Sequence, residues 1–156
     1  MRANKKTDTR PELELRSALH RLGYRYRTHH RIQAGRISVR PDIVFTRLRV
    51  AIFVDGCFWH GCPMHGTSPR ANSEYWSQKL DRNRRRDAES AAALRAAGWQ
   101  VLRIWEHVPT QEAVRAVRDV LRAVDRRRLA QNMPENRGVA QQPSVGAGRG
   151  SPAPAR

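Results

Sequence analysis

The chain has 156 residues, with 30 Lys and Arg against 14 Asp and Glu and a formal net charge of +16. That length fits one domain with a tail, and that charge points to a polyanionic partner, most simply nucleic acid. The polar start and the lack of a long apolar run argue against a signal peptide and a membrane span, so the expected place is the cytoplasm, at the nucleoid in a bacterial host.

Residues 9–22 read as a helix. Leu15, Ala18, Leu19 and Leu22 recur at helical spacing, Thr9-Arg10-Pro11-Glu12 fits a capping box, and Gly23 closes the end. Residues 24–27 follow as a short strand and 28–40 as a basic loop. Residues 42–45 and 50–54 are apolar strands, joined by a tight connection carrying Arg47 and Arg49. After a loop rich in Cys and His, and another at 67–72 with Pro69, a long helix spans 73–97. It is capped by Ser73 and ended by Gly98. Residues 99–105 make a third β-rich strand. Residues 110–129 make a last helix, with Val114, Val117, Leu121 and Val124 on one face. Residues 131–156 are mostly Gln, Pro, Gly, Ser, Ala and Arg and read as a disordered tail behind a domain at 1–130. Only Arg137, Arg149 and Arg156 of the basic residues lie in it, so the charge belongs to the folded part. The order predicts a small α/β domain, a mixed sheet covered by helices.

The run Phe53-Val54-Asp55-Gly56-Cys57-Phe58-Trp59-His60-Gly61-Cys62-Pro63-Met64-His65 concentrates the chemistry. Cys57, Cys62 and His65 stand at ligand spacing for a closed tetrahedral zinc site, which needs one more ligand. His107, just past the third strand, is the leading fourth. His29 and His30 are rivals for that place, and His60 is a rival for the place of His65. Two cysteines in a chain without a secretory signal suit metal better than a disulfide.

Asp42 heads one apolar strand and Asp55 ends the next. Two neighbouring strands could bring these acids together as a Mg2+ site. His60 can activate water near neutral pH. Glu12, on the inward face of the first helix, either completes the capping box or reaches the site to orient a water or His60. Trp76, Leu80, Asn83, Asp87, Ala91 and Leu94 form one stripe of the long helix, with Lys79 beside it. Asn83 and Asp87 in that stripe need partners, either in the site or in the core. Phe58 and Trp59 are either an apolar wedge for base pairs or core packing.

Together these residues resemble the very-short-patch mismatch repair endonuclease family. The matching features are Asp8-Thr9-x-x-Glu12, Arg40-Pro41-Asp42, Asp55-Gly56-Cys57-Phe58-Trp59-His60, Trp76-x-x-Lys79-x-x-x-Asn83-x-x-x-Asp87 and Gly98-Trp99-x-Val101-Leu102-x-x-Trp105-Glu106. The resemblance implies a restriction-endonuclease-like α/β fold of the PD-(D/E)xK type with a structural zinc loop. It implies a Mg2+-dependent, strand-specific nick 5′ of the T in T:G mismatches left by deaminated 5-methylcytosine. Asp42 and the Val54 carbonyl would hold Mg2+, His60 would be general base with Glu12 assisting it, and Asp55 would add to the Mg2+ site. Cys57, Cys62, His65 and His107 would hold zinc. Phe58 and Trp59 would enter the DNA, with Lys79 and Asn83 in contact with it and Asp87 behind the site. The expected partner is duplex DNA with a T:G mismatch, met by a monomer, with mismatch-repair proteins as further partners. Three departures from the family pattern stand out: Asp55 where some members carry His, His at two zinc positions, and a short N-terminal arm. The competing expectation is a zinc-stabilised nucleic-acid binder, or a restriction-like nuclease indifferent to mismatches.

Overall fold

The computed structural model describes residues 8–65 and 72–132. The short N-terminal arm, most of the loop at 67–72 and the tail from 133 onward lie outside the described residues. The elements are α1 (Arg10–Arg21), β1 (Ile32–Ala34), β2 (Ile37–Val39), β3 (Ile43–Phe45), β4 (Val50–Asp55), α2 (Cys57–His60), α3 (Ser73–Ala96), β5 (Gln100–Trp105) and α4 (Thr110–Asn132). Strands β3, β4 and β5 form a mixed sheet. β3 runs antiparallel to β4, and β4 runs parallel to β5 with Val50 opposite Gln100 and Asp55 opposite Trp105.

Alternation along the strands splits the core into two layers. Ile43, Phe45, Val50, Ile52 and Ile104 pack with Leu15 and Leu19 of α1 and with Val114, Val117 and Leu121 of α4. Val44, Ala51 and Val101 pack with Ala91 and Leu94 of α3 and with Ile32, Ala34 and Val39 of the β1–β2 hairpin. The sheet is therefore covered on both faces, as the mixed-sheet reading requires.

Four local expectations change. The basic stretch 28–40 holds the antiparallel hairpin β1–β2, turned at Gly35 with φ +62°. Of the strand expected at 24–27, Arg27 alone pairs, as an isolated bridge to Val44. The N-cap of α3 is Asn72, not Ser73, and its backbone is left-handed with φ +53°. In α1, Thr9 is the N-cap but makes no side-chain bond to the helix amides. Its hydroxyl donates to Glu12 Oε1 instead, while Glu12 Oε2 accepts the Asp8 amide.

Candidate active site and metal centre

The end of β4 organises the site. Its last residues, Val54 and Asp55, lie between two polar clusters. The first cluster is on the α1 side. Asp42 immediately precedes β3, and its Oδ2 accepts the Val54 amide at 2.8 Å. Glu12, 3% exposed, is held by Arg16, whose Nη2 donates to Glu12 Oε2 at 3.3 Å and to the Asp42 carbonyl at 3.1 Å. Arg16 Nη1 also donates to Asp8 Oδ1 at 2.5 Å. Burial pushes the Asp42 carboxyl up to about 6. The Val54 amide opposes the rise, Glu12 adds to it, Arg16 opposes it and Asp55 adds to it. Arg16 thus serves the Asp8 and Glu12 carboxylates and the Asp42 carbonyl, and the acid whose carboxyl burial raises is the one the sequence put forward for a hard cation.

The second cluster is on the α3 side. Asp55, 4% exposed, takes Arg103 in a two-pronged pair at 2.6 Å and 2.6 Å. Arg103 Nη2 reaches Asp87 Oδ2 at 3.2 Å. Burial works against the charge of Arg103, but Asp55 and Asp87 outweigh it and hold the guanidinium above its ordinary value. His60 Nδ1 lies 2.5 Å from Asp87 Oδ2. A contact this short to a carboxylate places the ring proton on Nδ1 and leaves Nε2 as the free acceptor. Asp87 is the half-buried polar residue expected in the α3 stripe, and its partners are His60 and Arg103. Glu12 makes its contacts with Thr9, Asp8 and Arg16, on the Asp42 side of the site.

The loop after β4 turns at once into α2. Cys57 donates its amide to Glu106 Oε1 at 2.6 Å. Gly61 ends the turn with φ +64°, and a side chain there would run into the Arg84 guanidinium. This turn gathers Cys57, Cys62, His65 and His107 so that one ligand atom from each lies within 4.8 Å of every other. Cys57 Sγ is 3.0 Å from His107 Nδ1, and Cys62 Sγ is 3.8 Å from His65 Nδ1 and 3.7 Å from His107 Nδ1. The cluster takes His65 and not His60. His29 instead faces Asp8 at 3.5 Å. Without a cation, burial and then the neighbouring Cys62 push the Cys57 thiol up to about 11, a cost that a bound metal removes.

Neither Phe58 nor Trp59 is core; both are half-buried. They pack with Trp76, at centroid distances of 5.0 Å between Phe58 and Trp59, 5.4 Å between Phe58 and Trp76, and 6.0 Å between Trp59 and Trp76. Lys79 Nζ lies 5.4 Å from the Trp59 ring, 5.0 Å from Trp76 and 5.5 Å from Tyr75. Asn83 Nδ2 reaches the Trp59 carbonyl at 3.4 Å. The result is an aromatic and cationic patch beside the two acidic clusters.

Sequence reasoning missed Arg16, Arg103 and Glu106. Arg16 stands four residues after Glu12, on the same inward stripe. Arg103 is on the same sheet face as Asp55, two registers along. Those spacings were the available signals.

Residues 1–65 match the family model described as DNA mismatch endonuclease Vsr. The type II nicking enzyme V.NaeI of Lentzea aerocolonigenes is 54% identical over 122 residues, covering 78% of this chain and 74% of that protein. The type II nicking enzyme V.XorIIP of Xanthomonas oryzae pv. oryzae is 46% identical over 101 residues, covering 64% and 71%. The DNA mismatch endonuclease Vsr of Escherichia coli is 36% identical over 108 residues, covering 68% and 66%. Among the described residues, no helix is long and apolar enough to cross a membrane.

Proposed function

The chain belongs to the Vsr family of DNA mismatch endonucleases, and on that footing we propose that it nicks one strand of duplex DNA 5′ of the T in a T:G mismatch, with Mg2+ as its catalytic ion. Family membership sets aside the reading of a binder without chemistry. The observation that carries the rest is the Asp42 site: a desolvated carboxylate, anchored through one oxygen by the Val54 amide, with Glu12 and Asp55 adding negative potential. That donor set fits a hard divalent cation, which favours one or two carboxylates with water and substrate phosphate. Asp42 and the Val54 backbone would hold it. When bound, the ion polarises the scissile phosphate and lowers the pKa of water.

The chain's own groups do the rest. His60 Nε2 takes a proton from the attacking water, whose oxygen forms the new bond to phosphorus as the ester P–O bond breaks and the leaving oxygen takes a proton from solvent water. Asp87, fixed by Arg103, holds the ring in the tautomer this needs and stabilises the imidazolium that forms. With both oxygens on Arg103, Asp55 is a positioning residue. Phe58 and Trp59 unstack the mismatch, and Lys79 and Asn83 hold that loop and face the backbone.

Zinc fits the second centre. Zn–S bonds near 2.3 Å and Zn–N bonds near 2.0–2.1 Å at tetrahedral angles put S and N about 3.6 Å apart. The S···N separations of 3.0, 3.7 and 3.8 Å bracket that value. Zinc here ties β4, α2 and the segment after β5 together.

Asp42→Asn tests the reading. Binding to T:G DNA should persist, because it rests on many Lys and Arg contacts to phosphate, while nicking is lost. Nicking at the wild-type rate by this variant would remove Asp42 from the metal site.

A further inference from the structure

A groove lies at the other end of the sheet from Asp55, where β4 and β5 begin. It is lined by Leu48, Arg49, Arg95, Trp99, Arg127 and Arg128 among others, with no carboxylate among the described residues of its wall. From Arg49 to Asp55 the strand spans roughly 20 Å at about 3.3 Å per residue. The nicking centre does not use these residues.

Two features mark the groove as built for a ligand. Arg49 has φ +54°, a conformation that Gly or Asn adopts readily and that costs other residues on the order of 1 kcal/mol. Its guanidinium rests on Trp99, 5.7 Å from the ring centroid, against the backbone of Gly98. Arg128 is fixed too, donating to the Arg47 carbonyl at 2.8 Å. None of Arg49, Arg95, Arg127 and Arg128 forms an ion pair among the described residues. A strained turn thus carries an exposed guanidinium, without an ion pair among the described residues, into a groove of its own kind, and closely set arginines make a field that favours an anion.

We infer that this groove is a second DNA-backbone contact, which holds duplex phosphates outside the segment being nicked. The inference uses only the chain's standing as a DNA enzyme and not its mismatch or metal preference. The phosphates are those of the nicked duplex's own flank.

The test is the double variant Arg49→Asn, Arg127→Gln in the full chain. Asn suits the left-handed turn, so the melting temperature should hold, whereas a merely structural Arg49 would make it fall. Binding is compared on T:G duplexes of about 12 bp and about 40 bp, the shorter being near 40 Å long. The variant should lose roughly tenfold or more in affinity for the long duplex at about 0.1 M salt, with the salt slope reduced by about 2. Affinity for the short duplex, and its nicking, should stay at wild type. Unchanged long-duplex binding overturns the inference, and so does an equal loss on both lengths. Adding an unrelated duplex to the short complex checks the source. Its retention by wild type and not by the variant would overturn the flank assignment; no retention, with the length effect present, supports it. Failure of wild type to nick the short T:G duplex would count against the proposed reaction and leave the binding comparison readable.

Discussion

Asp42 is placed against its own stability. Its carboxyl is raised from 3.8 to about 6 in the folded chain, chiefly by burial. The folded state therefore holds that proton more tightly than the unfolded state. Stability is fully present below 3.8 and is lost as pH rises through about 6, by up to ~3 kcal/mol. In Mg2+-free buffer, Asp42→Asn should therefore melt above wild type at pH 8 and level with it below pH 3.8. A variant that melts lower at pH 8 would show that the carboxylate is compensated. At His60, the Asp87 contact does the orienting, so Asp87→Asn should lower kcat by roughly a hundredfold or more with KM little changed. A loss confined to KM would make Asp87 a DNA-binding residue. Trp59 lies half-exposed among Phe58, Trp76 and Lys79, not in the core. Replacing it with Ala should weaken binding to T:G DNA by about 1–3 kcal/mol and leave matched-duplex binding nearly unchanged at fixed salt. Equal loss on both duplexes would count against the wedge.

Elements differ in how openly the sequence announced them. The Cys and His loop stood out because these residues are scarce in the chain and four of the eight fall between residues 57 and 65. Spacing could not choose between His60 and His65. The choice needed the α2 turn, which sends His60 toward α3 and its Asp87. The long helices were visible from periodicity, and β3 to β5 from short apolar runs. The β1–β2 hairpin was hidden because its strands are three residues long and carry exposed polar positions between Ile32, Ala34 and Val39. Arg16 and Arg103 were hidden for another reason. Among 30 basic residues, an arginine that serves a carboxylate looks like one that serves solvent. The proposed zinc site belongs to this scale too. Purified protein should hold one zinc per chain by elemental analysis. Cys62→Ser should lose the zinc and several kcal/mol of stability, because the binding energy is part of folding. A zinc-free protein that melts as high as a zinc-loaded one would overturn this.

At the scale of the molecule, two covered faces of one small sheet leave its end free for chemistry. The Asp42 and His60 clusters approach that end from opposite layers, and the Cys and His loop and aromatic patch close around it. The opposite end carries the arginine groove. Removing residues 133–156 should leave nicking intact at moderate salt, since those residues add only three basic charges and no apolar periodicity. A large loss in the truncated chain would give the segment a direct part in DNA binding. The central claim is a single reaction, a Mg2+-dependent nick directed by a T:G mismatch. It is measured most directly by incubating strand-labelled T:G and T:A duplexes of the same sequence with the full chain, with and without Mg2+. The account predicts one cut, on the T strand 5′ of the mismatched T, in the T:G duplex with Mg2+ alone. Equal cutting of the T:A duplex, or cutting that persists without Mg2+, would contradict it.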